Sequence, residues 1–277
     1  TESPTHLRFE PPLRLCYMPW ELAEIDARPV VMSERCLSFY RGYEMHRRLE
    51  APRAKVDVLL LRLGAVYEEL SNRGASESGA ELEDHFWNVG LTLETLEQPD
   101  PRRLYDFLTK LRPNVLCLEV NVIESQGVLS LDFGSGGYGK VRDNEFTART
   151  LAGMLGEIRG APLVILETPG APDVIDNVRQ LCLRNSFANE LMQHTHISSV
   201  VASGLADPYR VRQAPIALIA QGLADRLPMR EITNELWRIR SRAIDWDVDD
   251  EELLAHLLPS AGVALFTREP TRVLEVG

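Results

Sequence analysis

The sequence predicts an α/β fold built on a mainly parallel central sheet with helices on both faces, and three observations predict it. Several short runs are apolar almost throughout, among them "KVDVLLLRLG", "NVLCLEVNV" and "PLVILET". Strands read this way when both of their faces are covered. Segments with apolar residues at helical spacing fall between those runs, and Gly, Pro, Asp and Ser punctuate the junctions. Strands alternating with helices form right-handed β-α-β units, hence parallel neighbours.

The elements follow in order. Residues 1–54 mix aromatics, Pro and Arg with only short strand-like stretches, so an irregular segment packed on the core is expected there. The strand at 55–64 is bounded by Gly64. "AVYEELSNRG" and "GAELEDHFWNVG" read as helical, and "LTLETL" (91–96) as a strand. "DPRRLYDFLTKLR" opens with Asp100 as N-cap and Pro101 at the first helical position, and sets Leu104, Phe107, Leu108 and Leu111 on one face. After "NVLCLEVNV", the stretch "GVLSLDFGSGGYGKVRD" reads as a hairpin around its Gly-rich turn. Leu151, Met154, Leu155 and Ile158 mark a helix with Asp143 or Asn144 as cap. "PLVILET" is the next strand. Val174, Val178, Leu181 and Cys182 mark a helix that Phe187 and Leu191 either continue or follow with a second. "ISSVVAS" is a strand, "APIALIAQGLADR" and "MREITNELWRIRSRA" are helices, and "GVALFTR" is expected as a closing edge strand. All 277 residues are expected to form one domain.

Composition narrows the function. With 44% hydrophobic residues the chain has material for one large core or two small ones, and its net charge of −11 opposes a nucleic-acid surface, since the basic residues are scattered. Cys16, Cys36, Cys117 and Cys182 lie far apart without a CxxC pair, a pattern of buried reduced thiols rather than of a disulfide frame or zinc site. No run approaches the ~18 apolar residues of a membrane span, and no signal pattern opens the chain. A cytoplasmic protein without membrane or nucleic-acid partners is expected. The start at Thr1 rather than Met fits a piece of a longer protein.

Several stretches, taken in order, resemble the caspase-like CHAT domains of bacterial proteins, relatives of caspases and separase. "MPWELAEI" (18–25) is similar to the segment that opens these domains, and "KVDVLLLRLG" to their first core strand. "TLETLEQPDPRRLYDFLTKLRPNVLCL" resembles the strand, helix and third strand that lead to the catalytic histidine. "QGVLSLDFGSGGYGKVRDNEFTARTLAGML" has the shape of the family hairpin and the helix after it. "NSFANELMQHTHISSVVASGLADP" and "LADRLPMREITNELWRIRSRA" match the later pattern, so the likeness runs over nearly the whole chain. It implies a caspase-like three-layer sandwich and His/Cys-dyad peptidase chemistry.

The chemistry is where the sequence departs from the family. Active members carry "HFSGHG" just past the third strand and "LNAC" just past the fourth. In register, the two histidines fall on Cys117 and Asn121, the following glycine on Val122, and the cysteine on Pro169, or on Thr168 if the loop shifts by one. A thiolate nucleophile needs an imidazole to generate it and to protonate the leaving amine. Asn121 takes up no proton near neutral pH. Pro169 has neither a nucleophile nor a backbone N–H for an oxyanion hole. Loss of the nucleophile alone costs on the order of a million-fold in turnover where it has been dissected in a serine hydrolase.

Other candidates carry bland readings beside the functional ones. Cys117 is a rescue nucleophile, but its apolar neighbours make it a core residue. Cys182 and His194 are twelve residues apart, and His194 with His196 supplies only two metal ligands, so no metal and no cofactor is expected. Glu119 and Glu167 end adjacent predicted strands: across the cleft they form a carboxylate pair for a cation or a basic peptide residue, or else two solvated strand ends, the favoured reading. "GSGGYG" lacks the ending of a phosphate loop, "DWDVDDEE" lacks the glycine of a calcium loop, and Trp20 and Trp237 are expected in packing. The function expected is a catalytically degenerate CHAT domain that binds a protein or peptide partner in a regulatory or scaffolding role. Glu119, Asn121, Glu167 and Thr168 would line its crevice. Alternatives are a cysteine-type peptidase with a displaced dyad, using Cys117 or Thr168, and small-ligand or nucleotide binding in the same crevice.

Overall fold

The computed structural model describes residues 5–9, 24–25, 28–29, 36–43, 57–64, 84, 86–133, 146–158, 163–169, 174–194, 197–205, 213–242 and 263–268. The expected helix at 65–74, the Gly-rich segment 134–139, the acidic stretch 245–252 and Cys16, Trp20, Asp143, Asn144 and His196 lie outside the described residues. Two short described strands, β2 (Glu24–Ile25) and β3 (Arg28–Pro29), pair antiparallel with each other, and eight others form one sheet. They are β1 (Thr5–Phe9), β4 (Cys36–Gly42), β5 (Val58–Arg62), β6 (Leu93–Glu97), β7 (Val115–Glu119), β10 (Leu163–Pro169), β11 (Ser199–Leu205) and β12 (Ala264–Thr267). Their spatial order is β1-β4-β12-β11-β10-β7-β5-β6. Within that sheet every pairing is parallel except β11 with β12. The expectation of a mixed α/β chain with a largely parallel sheet therefore holds.

The apolar runs explain the layers. Along β5, β7 and β10, residues Leu59, Leu61, Leu116, Leu118, Val164 and Leu166 face one core, and Val58, Leu60, Val115, Cys117, Leu163 and Ile165 face another. Successive side chains of a strand point to opposite faces, so an unbroken apolar run needs a cover on each side. Helices α1 (Pro101–Leu111), α2 (Ala148–Ile158) and α3 (Val174–Met192) cover the first face through Leu104, Leu108, Leu151, Leu155, Phe187 and Leu191. Helices α4 (Gln213–Ala224) and α5 (Met229–Arg242) cover the second through Ile219, Leu223, Ile232 and Leu236.

Helix α1 starts as its sequence dictates: Asp100 Oδ1 accepts from Arg103 N at 2.8 Å, and proline occupies the first turn. It stops where Arg112 turns left-handed at φ 48, just before Pro113. Helix α2 is capped by Thr147, whose Oγ1 accepts from Thr150 N at 3.2 Å. Helix α3 is a single 19-residue element, which resolves the open choice between one helix and two.

One expectation about strands needs correction. "GVALFTR" is no edge: β12 lies between β11 and β4, because N-terminal β4 and β1 extend the sheet beyond it. The N-terminal segment is accordingly not wholly irregular. A hairpin not expected from the sequence precedes the Gly-rich stretch, which itself lies outside the described residues. β8 (Val122–Ser125) and β9 (Val128–Leu131) pair antiparallel around Gln126 and Gly127, at φ 53 and 77. Two consecutive positive φ values are the mark of a two-residue type I′ turn. β7 therefore ends at Glu119, and Asn121 sits in the link to the hairpin, where its carbonyl accepts from Asp132 N at 2.9 Å.

Candidate functional site

Parallel register aligns one residue from each of five strands in a single row. Glu97, Arg62, Glu119, Glu167 and Ser203 are successive partners across β6, β5, β7, β10 and β11. In-register residues of parallel strands share a face, here the one that α4 and α5 cover below. For β6, β5 and β7 this row is the last residue of the strand, while β10 and β11 run on to Pro169 and Leu205. The C-terminal edge thus has a step at the β7/β10 boundary, and ends of parallel strands are where open α/β sheets bind ligands.

Apart from Glu97 the row is buried, which corrects the favoured reading of Glu119 and Glu167 as solvated strand ends. Glu167 and Ser203 are fully inaccessible, Arg62 is 6% exposed and Glu119 7%. Arg62 Nε donates to Glu119 Oε2 at 2.8 Å, and Arg62 also lies 3.6 Å from the half-exposed carboxylate of Glu97. Burial by itself pulls the Arg62 guanidinium down. The charge of Glu119, its hydrogen bond and the charge of Glu97 outweigh burial and leave Arg62 above its ordinary value. A cation held between carboxylates in this way is locked in its charged state, so Arg62 anchors the strand ends and is no acid or base.

Cys117 lies one residue-pair below the row on β7, 3% exposed, beside an apolar recess shared with Leu60, Ile165 and Ile219. Burial, then the charges of Glu167 and Glu119, push its thiol well above the ordinary value, with Arg62 opposing weakly. A nucleophilic cysteine needs the opposite environment, electropositive and open. Cys182 is half-buried on α3, and burial raises its thiol too, against the charges of Arg184 and Arg41. His194 lies at the far end of α3, near the start of β11, where burial and the charges of Arg149 and Arg268 lower its imidazole. It therefore sits at the edge of the sheet opposite the row of Glu119 and Glu167. The displaced pair Cys182 and His194 is not brought together: about twelve residues of helix separate them by roughly 18 Å.

The two positions that the resemblance assigns to the dyad emerge at the step. Asn121 is half-buried two residues past the end of β7. Thr168 and Pro169 continue β10 opposite Gly204 and Leu205 of β11. The Glu167 carbonyl accepts from Val120 N at 2.9 Å, so the backbone groups of Glu167 point toward β7. Residue i+2 of a strand points the same way, and β7 has ended by then, so proline at 169 interrupts no ladder. Glu97, Arg62 and Ser203 are the members of the row that the sequence did not nominate. A signal existed for Arg62, a single charge ending an apolar strand whose neighbour ends in a glutamate.

Among the described residues no group of three or more His, Cys, Asp or Glu side chains is placed to hold a metal ion. No described helix is long and apolar enough to cross a membrane. No known family model and no curated protein matches the sequence.

Proposed function

We propose that this chain is a catalytically degenerate caspase-like (CHAT) domain that acts by binding a protein or peptide partner. The observation that carries the proposal is the register of β7 and β10. Glu119, the last residue of β7, pairs with Glu167 and β10 runs two residues further, so Asn121 follows the end of β7 and Thr168-Pro169 form the overhang of β10 at one step of the sheet. The resemblance assigns imidazole and thiol to those positions, and the sequence has an amide and a proline instead. The helices on both faces of a largely parallel sheet fit the three-layer sandwich that the resemblance implies.

A fold retained around a missing dyad keeps a crevice without its chemistry, and a crevice beside strand ends is suited to an extended peptide. Phage-displayed random peptides selected on the intact chain test this. Enriched peptides should lose about tenfold or more in affinity, roughly 1.4 kcal/mol, on Asn121→Ala or Thr168→Ala. Peptides indifferent to both substitutions would place recognition outside the crevice and contradict the proposal.

A further inference from the structure

The helical turn before β6 ends in a lock. Leu91 N donates to Phe86 O at 2.9 Å and Gly90 N to Trp87 O at 3.0 Å, with Gly90 at φ 79, the pattern of a Schellman cap. Its two apolar anchors, Phe86 and Leu91, are buried in the core beneath α4 and α5. Anchors on either side leave the residue next to Phe86 no inward direction: Trp87 is 76% exposed, whereas the other exposed large hydrophobics among the described residues reach only 38%. Asp84, three residues earlier in the same helical turn, is exposed as well and lies on the same face. A rigidly presented tryptophan is the side chain most enriched among the anchors of binding surfaces.

We infer that Trp87 and Asp84 form a docking point for a basic segment of a partner protein, with an Arg or Lys side chain lying over the indole and its charge facing the Asp84 carboxylate. Several features select a cation over an apolar group. Indole is the aromatic face that cations favour most. Asp84 supplies a carboxylate within a helical turn of it. The chain as a whole carries −11, which draws cationic partners toward it. None of the crevice residues takes part, so this docking point stands or falls separately from the degenerate-peptidase proposal.

The test is fluorescence anisotropy with a fluorescein-labelled peptide of alternating Arg and Ala, and with Gln/Ala and Leu/Gln peptides of the same length, at physiological salt. The Arg peptide should bind and the Gln peptide should not. Trp87→Ala should weaken binding about two- to fivefold, the range for an exposed cation–π contact. Asp84→Asn should weaken it further, and Trp87→Phe should fall between. Asp106→Asn, exposed on α1 across the sheet, should leave binding unchanged. Equal binding by the wild type and Trp87→Ala, an equal loss in Asp106→Asn, tighter binding of the Leu peptide, or no binding of the Arg peptide would each overturn the inference. So would self-association of the chain in sedimentation that Trp87→Ala abolishes. Asp84→Asn and Trp87→Phe carry the test on their own should Trp87→Ala fold poorly.

Discussion

Replacing Arg62 by Met removes the cation from a row that holds Glu119 and Glu167 out of water. Arg62 and Glu119 meet at 2.8 Å with side chains 7% and 9% exposed, so neither is screened by solvent. Breaking such a pair from one side costs about 3–5 kcal/mol, because a buried carboxylate is left without its cation. The contact to half-exposed Glu97 adds at most about 1 kcal/mol. Against a total stability of about 5–15 kcal/mol this is a large fraction. With a urea m-value of about 3 kcal/mol/M, the midpoint should fall by about 1–1.7 M. The double variant Arg62→Met/Glu119→Met removes both charges and should recover more than half of that loss, since well-packed apolar side chains replace a buried pair at little cost. Urea unfolding followed by circular dichroism measures both. A single variant within about 0.3 M of wild type, or a double variant worse than the sum of the singles, would refute the reasoning.

Three further outcomes are expected. A Cβ at Gly222 of α4 would lie 2.5 Å from Ile232 Cγ1 of α5, so Gly222→Ala should destabilise by about 1–3 kcal/mol despite better helix propensity. Its cost should shrink in an Ile232→Ala background, and thermal melts that show no such coupling would exclude close contact of the helices. In native protein mapped by peptide mass spectrometry, iodoacetamide should modify half-buried Cys182 slowly and Cys117 only after unfolding, because both thiols are raised; rapid native labelling of Cys117 would contradict its burial. His194 is lowered in the folded state, so the unfolded chain binds its proton more readily. The stability it contributes is present above the unfolded value, near pH 6.5, and is lost as pH falls through the lower folded value. His194→Gln should flatten the fall in melting temperature between about pH 7 and pH 5, and an unchanged slope would remove His194 from the account.

Layering was legible in the sequence because it depends on periodicity alone. Apolar runs such as "VLLLR" and "LVILETP" state that both faces are covered, and helical spacing supplies the covers. Neighbour relations were not, since an apolar run fixes a strand's faces and leaves its lateral partners open. β12 therefore read as an edge, when the segment "CLSFYRG", with its Ser, Arg and Gly, pairs beside it. The turn at Gln126 was hidden because glutamine seldom signals positive φ. At the candidate site, Glu119 and Glu167 were legible as residues at strand ends. Their burial was not, and that of Glu119 goes with Arg62, 57 residues away in sequence, arriving in the same row.

The central claim is that the step between β7 and β10 keeps a peptidase crevice without its chemistry. Incubation of the intact chain with a pooled peptide-fluorophore library and a thiol-reactive acyloxymethylketone, read by fluorescence and intact mass, tests it most directly. The account predicts no turnover and no adduct under native conditions. Turnover that disappears in Cys117→Ser or Thr168→Val, or a stoichiometric adduct mapped to either residue, would contradict it.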